Sequence, residues 1–165
     1  IGLFGVEDRM VVASDDAVLV APRQRADSVK ELVAAINKAP EKNVGDRQRH
    51  YRPWGYYQSL DVGETHQVKR IVVKPGARLS LQRHQRRAEH WTVVQGVAEV
   101  TVGMSMDKLD VKTVRENETV HIPLHAIHRM ANRGDVPMTL IEVQYGDYFG
   151  EDDIERFEDD YGRVG

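Results

Sequence analysis

Between Tyr56 and Tyr145 apolar and polar residues alternate in short runs separated by turn residues. A period of two predicts strands with one buried face. The runs are Tyr56–Asp61, Gln67–Val73, Leu79–His84, Glu89–Gln95, Ala98–Val102, Lys112–Val114, Thr119–Ile122, His128–Ala131 and Met138–Tyr145. Many short strands at regular spacing predict an all-β sandwich or barrel, and a double-sheet jelly roll leaves an interior that polar side chains can line.

The chain before this region has a different pattern. Arg9–Ala13 and Ala17–Ala21 read as strands about a Ser14-Asp15-Asp16 turn. Over Arg25–Lys38, Val29, Leu32, Val33 and Ile36 recur at helical spacing, with Pro40 as the stop. Residues 41–50 are polar and charged and read as a linker. The expected organisation is therefore a small α/β segment over 1–40, a linker over 41–50 and a β domain over 51–165. Trp54, in Arg52-Pro53-Trp54-Gly55, suits a turn packed on a barrel end. Glu151–Asp160 holds seven acidic residues and reads as a solvated face. Ile154, Phe157 and Tyr161 within and beside it fit a short amphipathic helix docked on the barrel.

Composition narrows the function classes. The chain has 165 residues, 41% hydrophobic and 30% charged, which suits a globular protein with a sizeable core. A net charge of −3 disfavours nucleic acid as main partner. No apolar run approaches the roughly 20 residues of a spanning helix, so no membrane role is expected. Absence of cysteine excludes disulfides and thiolate metal sites and fits a cytoplasmic location. Ile1-Gly2-Leu3 carries neither an initiator Met nor a basic leader, so the chain reads as a fragment.

The candidate chemistry lies between Pro75 and Gly96. Alternation through Ser80, Gln82 and His84 places Gln82 and His84 on one face of a strand. After a turn at Gln85–Ala88 a second run starts at Glu89 and continues through Trp91 and Val93. A Gln, a His and a Glu thus reach neighbouring strands, as metal ligands do. His128, following the Pro123 turn, supplies a fourth donor from a distant strand. Two imidazoles, a carboxylate and an amide oxygen suit Zn²⁺, Co²⁺, Mn²⁺ or Fe²⁺. Singly, each residue is more often a surface or hydrogen-bonded group; at this joint spacing a metal site is the expectation.

The spacing Gly76-x5-Gln82-x-His84-x4-Glu89-x6-Gly96 resembles the first cupin motif, and Asn117-x5-Pro123-x-His125-x2-His128-x3-Asn132 is similar to the second. The string from Leu79 to Trp91, with Arg87-Ala88-Glu89-His90-Trp91, resembles the type II phosphomannose isomerase (cupin) domain. That domain forms the C-terminal part of bifunctional mannose-1-phosphate guanylyltransferases/mannose-6-phosphate isomerases. The tail from Glu142 to Arg163 resembles the end of the same domain. The resemblance covers roughly Tyr51 to Arg163, and more weakly residues 1–40, which are similar to the end of a nucleotidyltransferase domain. It implies a cupin double-stranded β-helix and metal-dependent interconversion of mannose 6-phosphate and fructose 6-phosphate. It also implies a homodimer, a covalently linked guanylyltransferase domain and a place in GDP-mannose and polysaccharide biosynthesis. Guanylyltransferase activity is not expected of this segment, which lacks a Gly-rich nucleotide signature. A non-catalytic sugar-phosphate-binding or regulatory cupin, and another cupin enzyme such as an Fe²⁺ dioxygenase, are the competing readings.

The same resemblance marks Arg87 as a catalytic and substrate-binding residue and Lys69 as a further substrate contact; Arg129, which follows His128 but faces the opposite way along the strand, is another substrate-binding candidate. Alternation lets only one of Lys69 and Arg70 face inward. Arg83 and Arg86 read as solvated surface charges, and His90 as a core residue or a support for the ligands. Three positions depart from the family pattern: Gln85, Arg86 and His125, the last standing where a glycine is expected. Histidine is among the residues that tolerate positive φ, so the turn is expected to persist.

Overall fold

The structure, a computed structural model, describes residues 4–13, 18–36 and 49–163. The chain divides into two compact units, Ile1–Gln48 and Arg49–Gly165. In the first, β1 (Arg9–Ala13) pairs antiparallel with β2 (Val18–Pro22). The expected Ser14–Asp16 turn lies outside the described residues. The helix predicted from Arg25 opens instead as a 3-10 turn over Arg23–Ser28, because Arg25 leaves helical space at φ −108° and ψ 21°. α1 then runs over Val29–Ile36. The predicted end at Lys38 and the Pro40 stop fall outside the described residues.

The second unit holds β3 (Arg49–Arg52), β4 (Gly55–Val62), β5 (His66–Val73), β6 (Leu81–His84), β7 (Arg87–Gln95) and β8 (Val97–Ser105). β9 (Lys108–Arg115), β10 (Thr119–Ile122), β11 (Ile127–Ala131), β12 (Met138–Gly146) and β13 (Ile154–Glu158) complete it. Every run expected between Tyr56 and Tyr145 contains a strand. One sheet has the order β10-β7-β12-β5-β4-β3, the other β13-β6-β11-β8-β9, with antiparallel neighbours throughout. This is the expected jelly roll. Inward residues of the first sheet, among them Ile71, Val73, Trp91 and Leu140, form one core with Ala98, Val100, Val114 and Met130 of the second. Burying each large apolar side chain contributes about 1.5–3 kcal/mol.

Three local readings change. Arg49 and His50, assigned to the linker, belong to β3 and pair with Gln58 and Tyr57, while residues 41–48 lie outside the described set. The turn between β6 and β7 is only Gln85–Arg86, since Arg87 already pairs with Gly146. The tail forms no α-helix: after a 3-10 turn at Glu151–Asp153, β13 pairs with β6. β6 would otherwise present an unpaired edge of N–H and C=O groups, and a strand satisfies these where a helix cannot. Trp54 is buried in the turn before β4 and joins the core. Gly55 follows at φ 152°, where a Cβ would collide with the Val72 carbonyl.

Candidate metal centre

Four strands deliver the site. Gln82 and His84 project from β6, Glu89 from β7, and His128 from β11, where it is the direct antiparallel partner of Gln82. Pairing of β12 with β7 sets Gln144 opposite Glu89. His84, Glu89 and His128 are each at most 2% exposed. They bring one ligating atom apiece within 4.8 Å of one another.

The hydrogen bonds decide what the cluster can hold. His128 Nδ1 donates to the Ala126 carbonyl at 2.9 Å, which leaves Nε2 as a bare lone pair. That Nε2 is buried, has no hydrogen-bond partner, and faces Glu89 Oε2 at 3.7 Å. Burial pushes His128 down to about 4, outweighing the attraction of Glu89, so the imidazole is neutral at pH 7. Burial alone would raise Glu89, but the hydrogen bond and charge of His84, with His128 and Arg87, hold it well below the usual carboxylate range. An imidazole lone pair therefore confronts a carboxylate in a dry interior. A cation between them resolves that arrangement. His84 Nε2 stands 3.1 Å from Glu89 Oε1 and completes the three-residue set.

Gln82 borders this cluster, its Nε2 at 3.4 Å from His84 Nε2. The Ser80 hydroxyl donates to Gln82 Oε1 at 2.8 Å. A half-turn of the amide would aim Oε1 at the centre, and Ser80 would accept in place of donating. The donor set fits the Zn²⁺, Co²⁺, Mn²⁺ or Fe²⁺ expected from the sequence.

Around the ligands lies a second layer that strand spacing alone did not single out. Trp91 Nε1 donates to Glu89 Oε2 at 2.9 Å and to Glu142 Oε1 at 3.1 Å. Gln144 Nε2 donates to Glu89 Oε1 at 2.9 Å. Such donors fix the carboxylate's direction. Burial, and then the charge of Glu89, push Glu142 up to about 8. The signal was present: Met138, Leu140, Glu142 and Gln144 share the inward face of β12, and two polar residues on a core face require partners.

The centre opens into a cleft whose walls include Arg52, Lys69, Arg87, Arg156 and Arg163. Arg87 is buried, donates to the Gly150 carbonyl at 3.1 Å and to Asp153 at 3.3 Å, and keeps Nε 3.7 Å from Glu89. Lys69 faces inward, its Nζ 5.1 Å from the Tyr57 ring centroid, and Arg70 faces out. Arg129 points the other way, to Glu158 at 2.9 Å, and is not among the cleft's walls. Arg83 pairs with Glu155 and Arg86 with Asp147 on the surface. His90 is neither core nor support: it is exposed on the outer face of β7 and stacks on His121 at 4.5 Å. His125 adopts φ 67° and is exposed, so the glycine-like turn persists with its side chain in solvent. Arg156 was not singled out because it lies in an acidic run that reads as a solvated face, and Arg163 because it stands beyond that run as part of the closing Tyr-Gly-Arg.

Known proteins bear on this geometry. The family model described as mannose-6-phosphate isomerase C-terminal matches residues 39–159, and that of the MannoseP isomerase/GMP-like beta-helix domain matches residues 1–36. The xanthan biosynthesis protein XanB of Xanthomonas campestris is 53% identical over 99% of this chain and 34% of its own length. The mannose-1-phosphate guanylyltransferase ManC of Salmonella typhimurium is 51% identical over 97% of this chain and 32% of its own length. The chain thus spans about a third of these curated relatives. Among solved structures, the capsular polysaccharide assembling protein CapF of Staphylococcus aureus superposes with a TM-score of 0.61. At 22% identity over 68% of this chain and 32% of CapF, that likeness is one of fold. Among the described residues no helix is long and apolar enough to cross a membrane. With a family model covering most of its length and a relative sharing half its residues, the chain belongs to the mannose-6-phosphate isomerase C-terminal family.

Proposed function

We propose that the unit from Arg49 onward is a metal-dependent aldose–ketose isomerase that interconverts mannose 6-phosphate and fructose 6-phosphate. The observation that carries this is the buried, unprotonated His128 Nε2 facing Glu89, which with Gln82 and His84 lines an arginine-walled cleft. His84, Glu89 and His128, with Gln82 as the fourth donor, would hold one divalent ion. When bound, that ion polarises the sugar carbonyl and offsets negative charge developing on its oxygen.

The remaining work belongs to side chains. Arg52, Lys69, Arg156 and Arg163 supply cationic donors for the phosphate group, guanidinium offering a planar fork. Arg87, held by Gly150 and Asp153, lies beside Glu89 and stabilises negative charge on the reacting oxygens. Isomerisation moves a proton from C2 of the aldose to C1 of the ketose, while the hydroxyl proton passes from O2 to O1. Glu142 faces the cleft beside Lys69 and is not needed as a ligand, so its carboxyl is our choice for carrying the carbon-bound proton. Arg129 has no part in this arrangement.

In the parent polypeptides implied by the longer relatives, this unit would work beside a guanylyltransferase in a cytoplasmic route to GDP-mannose and polysaccharide. Pairing of two copies into a homodimer completes the proposal. The direct test is incubation of mannose 6-phosphate with the metal-loaded chain in D₂O, followed by NMR. Fructose 6-phosphate carrying solvent deuterium at C1 is the expected product. Sugar-phosphate binding with neither product nor exchange would mean a non-catalytic binding domain.

A further inference from the structure

The cationic cleft already contains an anion of the chain's own. Glu151, the first residue of the 3-10 turn Glu151–Asp153, places its carboxylate 4.0 Å from Arg52 Nη2 and 3.7 Å from Arg156 Nη2. The Tyr57 hydroxyl donates to it at 3.5 Å. All three contacts are long, and the Glu151 side chain is 54% exposed. Contacts of this kind hold a side chain weakly.

Its backbone, by contrast, is pinned on both sides. Gly150 accepts from Arg87 through its carbonyl, and Asp153 accepts from Arg87 and from the backbone N–H groups of Gln85 and Arg86. Glu151 can therefore leave by rotating its side chain alone. Arg156 Nε is buried without a hydrogen-bond partner, so this arginine retains a donor that Glu151 does not satisfy. Of the carboxylates in the cleft wall, Glu89 and Glu142 are buried, and Glu151 is the exposed one with a loosely held charge. A phosphate monoester brings a charge near −2 and three acceptor oxygens, so it satisfies guanidinium groups better than one carboxylate.

We propose that Glu151 is a built-in counter-anion that occupies the phosphate position in the cleft and is exchanged for the substrate's phosphate, thereby setting the affinity for phosphorylated sugars. This rests on the sugar-phosphate reading above. Wild type then binds phosphate against an internal competitor, and removal of that competitor strengthens binding.

Isothermal titration calorimetry of the metal-loaded chain with fructose 6-phosphate, inorganic phosphate and unphosphorylated fructose tests this in wild type and Glu151→Gln. The expected result is roughly three- to tenfold tighter binding of both phosphate ligands in Glu151→Gln, with fructose unmoved. Glu151→Ala should behave alike. If wild type binds fructose 6-phosphate and the variants bind it equally or more weakly, Glu151 positions the arginines rather than competing with the ligand. The inference is then overturned while the isomerase reading stands. If wild type binds neither phosphate ligand, the sugar-phosphate reading itself fails, and this inference with it.

Discussion

At the scale of single residues, Glu89 and Glu142 share one donor, Trp91 Nε1, and their carboxyl groups are shifted in opposite directions. Glu89 is surrounded by His84, His128 and Arg87, whereas Glu142 is buried with Glu89's charge against it. Conservative amide variants should separate them. Glu89→Gln is expected to lose metal, measured by elemental analysis after gel filtration, and with it all isomerase activity. Glu142→Gln is expected to keep its metal while kcat falls by about 10²–10⁴, the usual worth of a proton carrier. Full activity in Glu142→Gln would reassign the proton to another group. The Gln82–His84–Glu89 spacing was legible because strand alternation is a strict period and the three lie close in sequence. Glu142 and Gln144 share a face with Met138 and Leu140, but Ile141, Val143 and Tyr145 make the other face equally apolar, so only the strand's partners decide which face is inward.

At the scale of elements, the tail from Glu151 to Arg163 is where sequence and structure part. A strand edge some seventy residues away decided its conformation, and no local pattern reports that edge. The tail is fastened by ion pairs, Arg78 with Asp160, Arg83 with Glu155 and Arg129 with Glu158. Asp160 lies below its usual pKa through its hydrogen bond to Arg78. Burial works against Asp159, yet hydrogen bonds from the Arg163 side chain and backbone lower it too. Carboxylates depressed in the folded state stabilise it above their unfolded pKa of about 3.9, and this contribution is lost as pH falls through the folded values. Amide hydrogen exchange should therefore show β13 protected near neutrality and losing protection below about pH 4, ahead of β7 and β12. Simultaneous loss in all three strands would mean that these aspartates do not hold the tail separately.

At the scale of the molecule, the jelly roll was legible because its inward face alternates regularly through strand after strand, as in β12 and β7. Apolar side chains from both sheets close one core, and the proposed ligands come from β6, β7 and β11. An ion that binds only the folded chain stabilises it by mass action, about 2.7 kcal/mol at a hundredfold excess over Kd. Thermal unfolding should thus move upward on metal addition in wild type and not in His128→Ala. An equal shift in both would place the ion elsewhere. Among the described residues of the first unit none is fully buried, and Val11, Val12, Val18 and Val20 are exposed on its hairpin.

A metal-dependent isomerase site formed by His84, Glu89 and His128 is tested most directly by one measurement. Chelator-stripped chain should show no turnover of mannose 6-phosphate to fructose 6-phosphate in a coupled assay. Activity should return on adding Co²⁺, Mn²⁺ or Zn²⁺, saturating at one ion per chain. Undiminished turnover after complete stripping, or one tightly bound ion with no turnover under any of the three metals, would contradict it.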